Sequence, residues 1–324
     1  MIIFNKKGKD EKIFFLISFL IFTSGFADTI PKEKNYRSYF IVSEVAQGTT
    51  VYSWLLPSGL GLKGKGAVAL GLWTPALFFL GSYPIKYVRS EGTPLQCYLG
   101  GIGGMVRGLF LYPKDGNPYT FSLFLSLGEN IGGYFLSEKM KFGLEDAWRF
   151  LNFNLLGYAH AGMFNIFTQE RWEDFRYVYP LFSAVEGYGG SILLHKEDNI
   201  TFGDAFAELE YMRLGITSPL SFFGGIQLLS EKSISKKIYV LSSFTGSLLG
   251  TYFGHQLSKK RDLTFGQALL ISFAPRIIEG MILGTTILVA KDFTKREWGI
   301  TLLLISISDP IGTLLFDKIF TSGL

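Results

Sequence analysis

The sequence predicts an all-α fold, in which repeated helical hairpins form a membrane-associated or membrane-embedded bundle. Three observations lead to it. Charged residues make up 18% of the chain and hydrophobic residues 48%, whereas an average soluble domain carries roughly 25% charge. Glycine recurs at fourth positions within apolar segments, which places it along one face of a helix. A two-part phrase also returns along the chain, as it does in proteins built from structural repeats.

The N-terminus comes first. Lys6, Lys7, Lys9 and Lys12 precede the apolar run 13–22, and Gly25 and Ala27 follow as small residues. This is the pattern of a signal peptide over 1–27, cleaved after Ala27, because the run is too short to cross a bilayer. Export is therefore expected, with the mature chain starting near Asp28 and a lead-in over 28–64. Cys97, the only cysteine, permits no intrachain disulfide and no lipid anchor at the cleavage site.

The glycine-rich repeat region spans 65–324, with units near 71–112, 118–168, 176–228 and 237–290 and a closing half at 297–320. SLGENIGGYFLSEKMKFGLEDAW (126–148), SAVEGYGGSILLHKEDNITFGDAF (183–206) and GSLLGTYFGHQLSKKRDLTFGQA (246–268) are its clearest copies. The first two share Ser-x-x-Glu-x-x-Gly-Gly, with Glu129 and Glu186 in register, and Ser247 stands in the glutamate position of the third. Each copy then has a polar turn and a Phe-Gly pair: Phe142-Gly143, Phe202-Gly203 and Phe265-Gly266. Gly128, Gly132, Gly189, Gly190, Gly246, Gly250 and Gly254 are the expected helix-packing glycines. In water each costs about 1 kcal/mol relative to alanine, but in a membrane small residues let helix backbones approach closely.

Three charge-free windows, 66–85, 150–169 and 238–258, are long enough to span. Other segments carry Arg107, Glu129, Glu186 or Arg276 near their centres. One such charge costs about 2.5–3.5 kcal/mol on insertion scales, so these groups must be paired between helices unless their segments do not cross. Residues 119–127, YTFSLFLSL, nearly alternate as a barrel strand would.

With its signal peptide, glycine-zipper helices and recurrent Thr-x-Gly-x-Ala helix starts, the chain resembles a loosely defined group of uncharacterised bacterial envelope proteins. The resemblance covers most of 70–290. It implies an exported, repetitive protein associated with an envelope membrane, inner or outer, and it brings no activity with it.

GLGLKGK (59–65) looks like a nucleotide loop, but Gly66 stands where a P-loop needs Ser or Thr. No Asp or Glu occurs between Glu44 and Glu91 to hold a ribose. A turn before a membrane helix is the expectation, with no nucleotide, no other cofactor and no metal. Net charge is only +4, without a basic tract for nucleic acid.

His160, His195 and His255 stand apart in sequence, with no metal or nucleophile motif around them, so no catalytic residue is nominated and an enzyme is not expected. Glu129 and Glu186 are the candidate functional carboxylates, either structural partners of buried cations or the lining of an ion path. Arg276 and Glu279, three apart, are expected to neutralise each other. Asp309-Pro310 and Ser218-Pro219 are expected to break their helices.

The expected role is structural or interactive within the envelope, with lipid as a partner and self-association through glycine faces. A transport or channel component is the alternative, and an outer-membrane β-barrel stands third.

Overall fold

The computed structural model describes residues 35–113, 115–169, 175–195, 200–290 and 294–321. The expected signal peptide and its cleavage site lie outside them. The chain forms two compact units, residues 1–147 and 148–324. Among the described residues every regular element is helical and no strand occurs.

In the first unit, α1 (Arg37–Gln47) passes through a π-helical turn (Gly48–Tyr52) into α2 (Ser53–Gly59). Hydroxyls of Thr49, Thr50 and Ser53 donate to carbonyls four residues back, at 2.8, 2.8 and 2.6 Å. The GLGLKGK segment then turns the chain into α3 (Gly64–Ser82), with Gly61 and Gly64 at φ of 70° and 60°. Positive φ is costly for residues with a Cβ, which accounts for glycine at both points.

α4 (Thr93–Leu111) and α5 (Pro118–Met140) form the tightest pair of this unit. Gly100, Gly104 and Gly108 make the approach obligatory. A Cβ on them would lie 2.7 Å from Glu129 O, 2.4 Å from Leu125 O and 2.2 Å from Ser122 Cα. α5 begins at the Asn117 side chain, which accepts from Tyr119 N at 2.9 Å, with Pro118 in the first turn, where no backbone donor is needed.

The near-alternating stretch 119–127 lies within α5, which corrects the barrel alternative. The residues α5 buries, Ser122, Leu123, Ser126, Asn130, Gly133 and Ser137, follow helical spacing rather than a period of two. The first turn of α6 (Leu144–Thr168) completes the unit.

The second unit contains the rest of α6 with α7 (Val178–Leu194), α8 (Phe202–Ser230), α9 (Lys236–Ser258), α10 (Phe265–Val289) and α11 (Lys295–Thr321). α8 is central and packs on α9, α10 and α11. The recurrent Thr-Phe-Gly now has a physical explanation. Thr201 and Thr264 each close a capping box, with Asp204 and Gln267 as the returning side chains. Thr201 Oγ1 also donates to Leu263 O at 2.7 Å, and Leu263 N donates to Asp204 Oδ1 at 3.2 Å. One helix start is thereby tied to the next. Phe202 and Phe265 pack at 5.3 Å between ring centroids, and a Cβ on Gly203 would fall 2.2 Å from Leu263 O.

Two expectations about prolines are corrected. α8 runs unbroken through Pro219 and α11 through Pro310, because packing along both helices offsets the single hydrogen bond each proline removes.

The glycine assignments divide. Gly246 and Gly250 meet α8, with added Cβ atoms 2.1 Å from Gly215 O and 2.2 Å from Tyr211 O. Gly254 abuts Tyr211, and Gly190 abuts the Phe153 ring. Gly128, Gly132 and Gly189 have nothing within 4 Å and do not pack helices within their own unit. Their helices bury the neighbouring columns instead, including Gly133 on α5 and Gly187 on α7.

Alongside an apolar core, many large apolar side chains face outward and many polar ones are buried. Leu72, Phe124, Leu193 and Leu288 are 77%, 71%, 80% and 87% exposed, whereas Gln47, Ser126, Arg149 and Asp204 are at most 1% exposed. α3, α10 and α11 are long and apolar enough to cross a membrane. The windows at 150–169 and 238–258 fall in α6 and α9, whose composition does not reach that level.

Candidate functional site

Glu129 and Glu186 both meet a basic side chain across a helix pair. In the first unit Arg107 of α4 donates from Nη1 to Glu129 Oε2. In the second, His160 Nδ1 of α6 lies 2.8 and 3.0 Å from the two Glu186 oxygens. Arg107 and His160 are each 3% exposed. The repeat therefore duplicates a carboxylate with a basic partner on the neighbouring helix, Arg107 in one copy and His160 in the other.

A third member went unpredicted. Ser306-x-x-Asp309-x-x-Gly312 on α11 matches Ser126-x-x-Glu129-x-x-Gly132 and Ser183-x-x-Glu186-x-x-Gly189. The shorter side chain and the following proline disguise it. Asp309, 2% exposed, accepts from Arg213 Nη2 of α8 at 2.7 and 2.8 Å. Arg213 also donates to Glu210 Oε1 from Nη2 at 2.6 Å and from Nε at 3.0 Å, and its Nη1 stands 3.6 Å from Glu279. Arg276 donates to Glu210 Oε2 at 2.8 Å. Arg276 and Glu279 attract each other along α10 as expected, but their close partners are on α8.

Two more clusters share α8. Arg149 Nε and Nη2 hold Glu208 at 3.0 and 2.9 Å, and His255 Nδ1 approaches Glu208 Oε1 at 3.2 Å. Arg261 donates to Asp317, which also accepts from the Tyr211 hydroxyl. Asp204, Glu208 and Tyr211 lie at helical spacing along one face, and Glu210, Arg213 and Thr217 along another. α8 is thus a polar spine inside the second unit. The signal was present in the sequence as charges at intervals of three and four on a helix too polar to be lipid-facing, but their partners are distant in sequence.

His160 also joins a group with the connectivity of a hydrolase triad. Its Nε2 lies 2.7 Å from Ser247 Oγ, opposite the Glu186 contact. This corrects the picture of isolated histidines. A nucleophilic serine must donate to the imidazole, and here the Phe244 carbonyl, also 2.7 Å from Ser247 Oγ, competes for its one proton. Ser247 is fully buried, and next to it Gly246 is pressed against the backbone at Gly215. An acyl group has no place beside that oxygen. The cluster ties α6, α7 and α9 together. His255 is likewise partnered, through Glu208.

Among the described residues no group of three or more His, Cys, Asp and Glu side chains is arranged to hold a metal ion. Compared with known proteins, the chain matches no family model, no curated protein and no solved structure.

Proposed function

We propose that the chain is an exported bacterial envelope protein, embedded in a membrane and serving there as a structural or interaction component without enzymatic activity. The observation that carries this reading is an extensively apolar exterior together with buried charges. Large apolar side chains such as Leu72 and Leu288 are exposed, while the charges around α8 are buried in partnered clusters. Water penalises such a surface, and a bilayer tolerates interior charges when they are paired. The resemblance of the repeats to envelope proteins points the same way, with lipid as the principal partner.

Self-association through open glycine faces belongs to the same proposal. Gly128 and Gly132 lie on α5 beside the exposed Phe124, a small-residue surface of the kind that lets helices approach in lipid. The transport alternative gains less support, because Arg107 neutralises Glu129 and His160 holds Glu186 by hydrogen bonds, so both carboxylates have structural partners.

Fractionation of inner and outer membranes followed by an alkaline carbonate wash tests the proposal. The protein is expected to stay in one membrane pellet, and chemical cross-linking there is expected to give homo-oligomers. Release into the soluble fraction would overturn the membrane reading.

A further inference from the structure

Glu44 differs from the other buried carboxylates. It sits on α1 in the first unit and is 6% exposed. Its Oε1 accepts from Asn130 Nδ2 at 3.0 Å. Asn130 also donates to Gln47 Oε1, and Gln47 Nε2 donates to Tyr98 O at 3.1 Å, so the neighbouring amides are committed elsewhere. Among the described residues no Lys, Arg or His forms an ion pair with Glu44. A buried carboxylate without a cation is expensive. Glu129, nearby on α5, shows how this fold treats such a group when the role is structural: Arg107 neutralises it.

Glu44 also lines a cavity of about 490 Å³, within the range of small-molecule sites. The floor is Phe40, Glu44 and Asn130, all under 7% exposed. Phe78 and Tyr134 supply ring walls, and Tyr134 stands 5.5 Å from Phe40 between centroids. The mouth is apolar and open, with Leu77, Ile131 and Phe135 exposed by 44%, 55% and 66%. Burial pushes the Glu44 carboxyl up to about 7, and a cation seated beside it would hold it ionised; a carboxylate among aromatic rings is the chemistry that recognises an organic ammonium ion, by charge and by attraction to ring faces. The apolar mouth suits an alkyl substituent on that ion.

We propose that this cavity is a binding site for an ammonium-bearing amphiphile, its cationic head beside Glu44 and the rings, its alkyl portion along Leu77, Ile131 and Phe135. The site goes beyond the structural role proposed above and does not depend on it, since ligand binding is measured on purified protein whatever its location.

Isothermal titration of the full chain in maltoside detergent with octyltrimethylammonium, octanol and octanoate tests it. The ammonium compound is expected to bind on the order of tenfold more tightly than octanol, the scale of a desolvated cation–ring contact, and octanoate not at all. Glu44→Gln should abolish the preference while leaving octanol binding intact. Ile131→Trp changes only an exposed mouth residue, so it should block both ligands without altering helicity, and it decides the matter if Glu44→Gln misfolds. Equal affinity for octanol and the ammonium compound, or unimpaired binding by Ile131→Trp, overturns the site.

Bilayer discs separate the two sources of such a head group. If a membrane lipid is the ligand, phosphatidylethanolamine discs should weaken the titration relative to phosphatidylglycerol discs. A free amphiphile should titrate equally in both. Either result presupposes the ammonium preference, and its absence from both discs counts against the site.

Discussion

Arg149 holds Glu208 in a two-pronged grip, Nε at 3.0 Å and Nη2 at 2.9 Å, with both side chains 1% exposed. The third donor of Arg149, Nη1, meets Leu194 O at the end of α7 at 3.2 Å. One side chain thereby joins α6, α7 and α8. Removing either partner strands a charge, which typically costs about 3–5 kcal/mol, whereas replacing both with apolar residues is often close to neutral. Arg149→Met and Glu208→Leu should each lower the melting temperature in detergent strongly, and the double variant should recover much of the loss. Additive losses in the double variant would show that the two residues do not act as a pair.

The repeat glutamates come next. Glu129→Gln removes the charge facing Arg107, whose side chain is 4% exposed, so a loss within about 3–5 kcal/mol is expected. Glu186 is more accessible, its side chain 24% exposed, and Glu186→Gln should cost less, on the order of 1 kcal/mol for one charged hydrogen bond in a wetter place. Wild-type protein in liposomes should conduct no ions. Reproducible conductance that disappears in Glu129→Gln or Glu186→Gln would instead establish the transport reading.

The glycines give predictions of opposite sign. Gly250→Ala puts a Cβ against the Tyr211 carbonyl of α8, at 2.2 Å if nothing moves, and forcing the helices apart should cost about 1–3 kcal/mol. Gly128→Ala meets open space on α5 and should stabilise the isolated chain by up to about 1 kcal/mol through helix propensity. Thermal melting of both variants in detergent checks this. A loss at both positions would mean that Gly128 packs after all, and cross-linking would show whether against a second copy.

The helical class and the contact glycines Gly246, Gly250 and Gly254 were legible because both rest on spacing within one segment. What lay hidden is pairing between segments. Nothing near Asp309 announces Arg213, and the proline after it reads locally as a break although α11 continues through it. Glycine columns at i and i+4 reveal a shared face but not whether it meets a helix or open space, so Gly128, Gly132 and Gly189 looked no different from Gly250. His160, Glu186 and Ser247 come from three helices, and only the fold brings them together.

Thr264 caps α10 from an exposed position, its hydroxyl accepting from Gln267 N and donating to Gln267 Oε1. Thr201 caps α8 in the same way but also donates to Leu263 O, the residue just before Thr264. Loss of a threonine cap costs about 1 kcal/mol; each hydroxyl also donates its single proton, but that of Thr264 goes to Gln267 in an exposed place and that of Thr201 to a carbonyl in a part-buried one, where an unmet acceptor costs about 1 kcal/mol more. Thr201→Ala should therefore lower stability roughly twice as much as Thr264→Ala, while Thr201→Ser, which keeps the hydroxyl, should stay near wild type. Denaturant titration of the three variants, followed by circular dichroism, measures the difference. Equal losses at Thr201 and Thr264 would reduce both residues to independent caps. A larger loss at Thr201, restored by serine, would show that its hydroxyl joins successive helix starts and gives the Thr-Phe-Gly phrase a reason to recur.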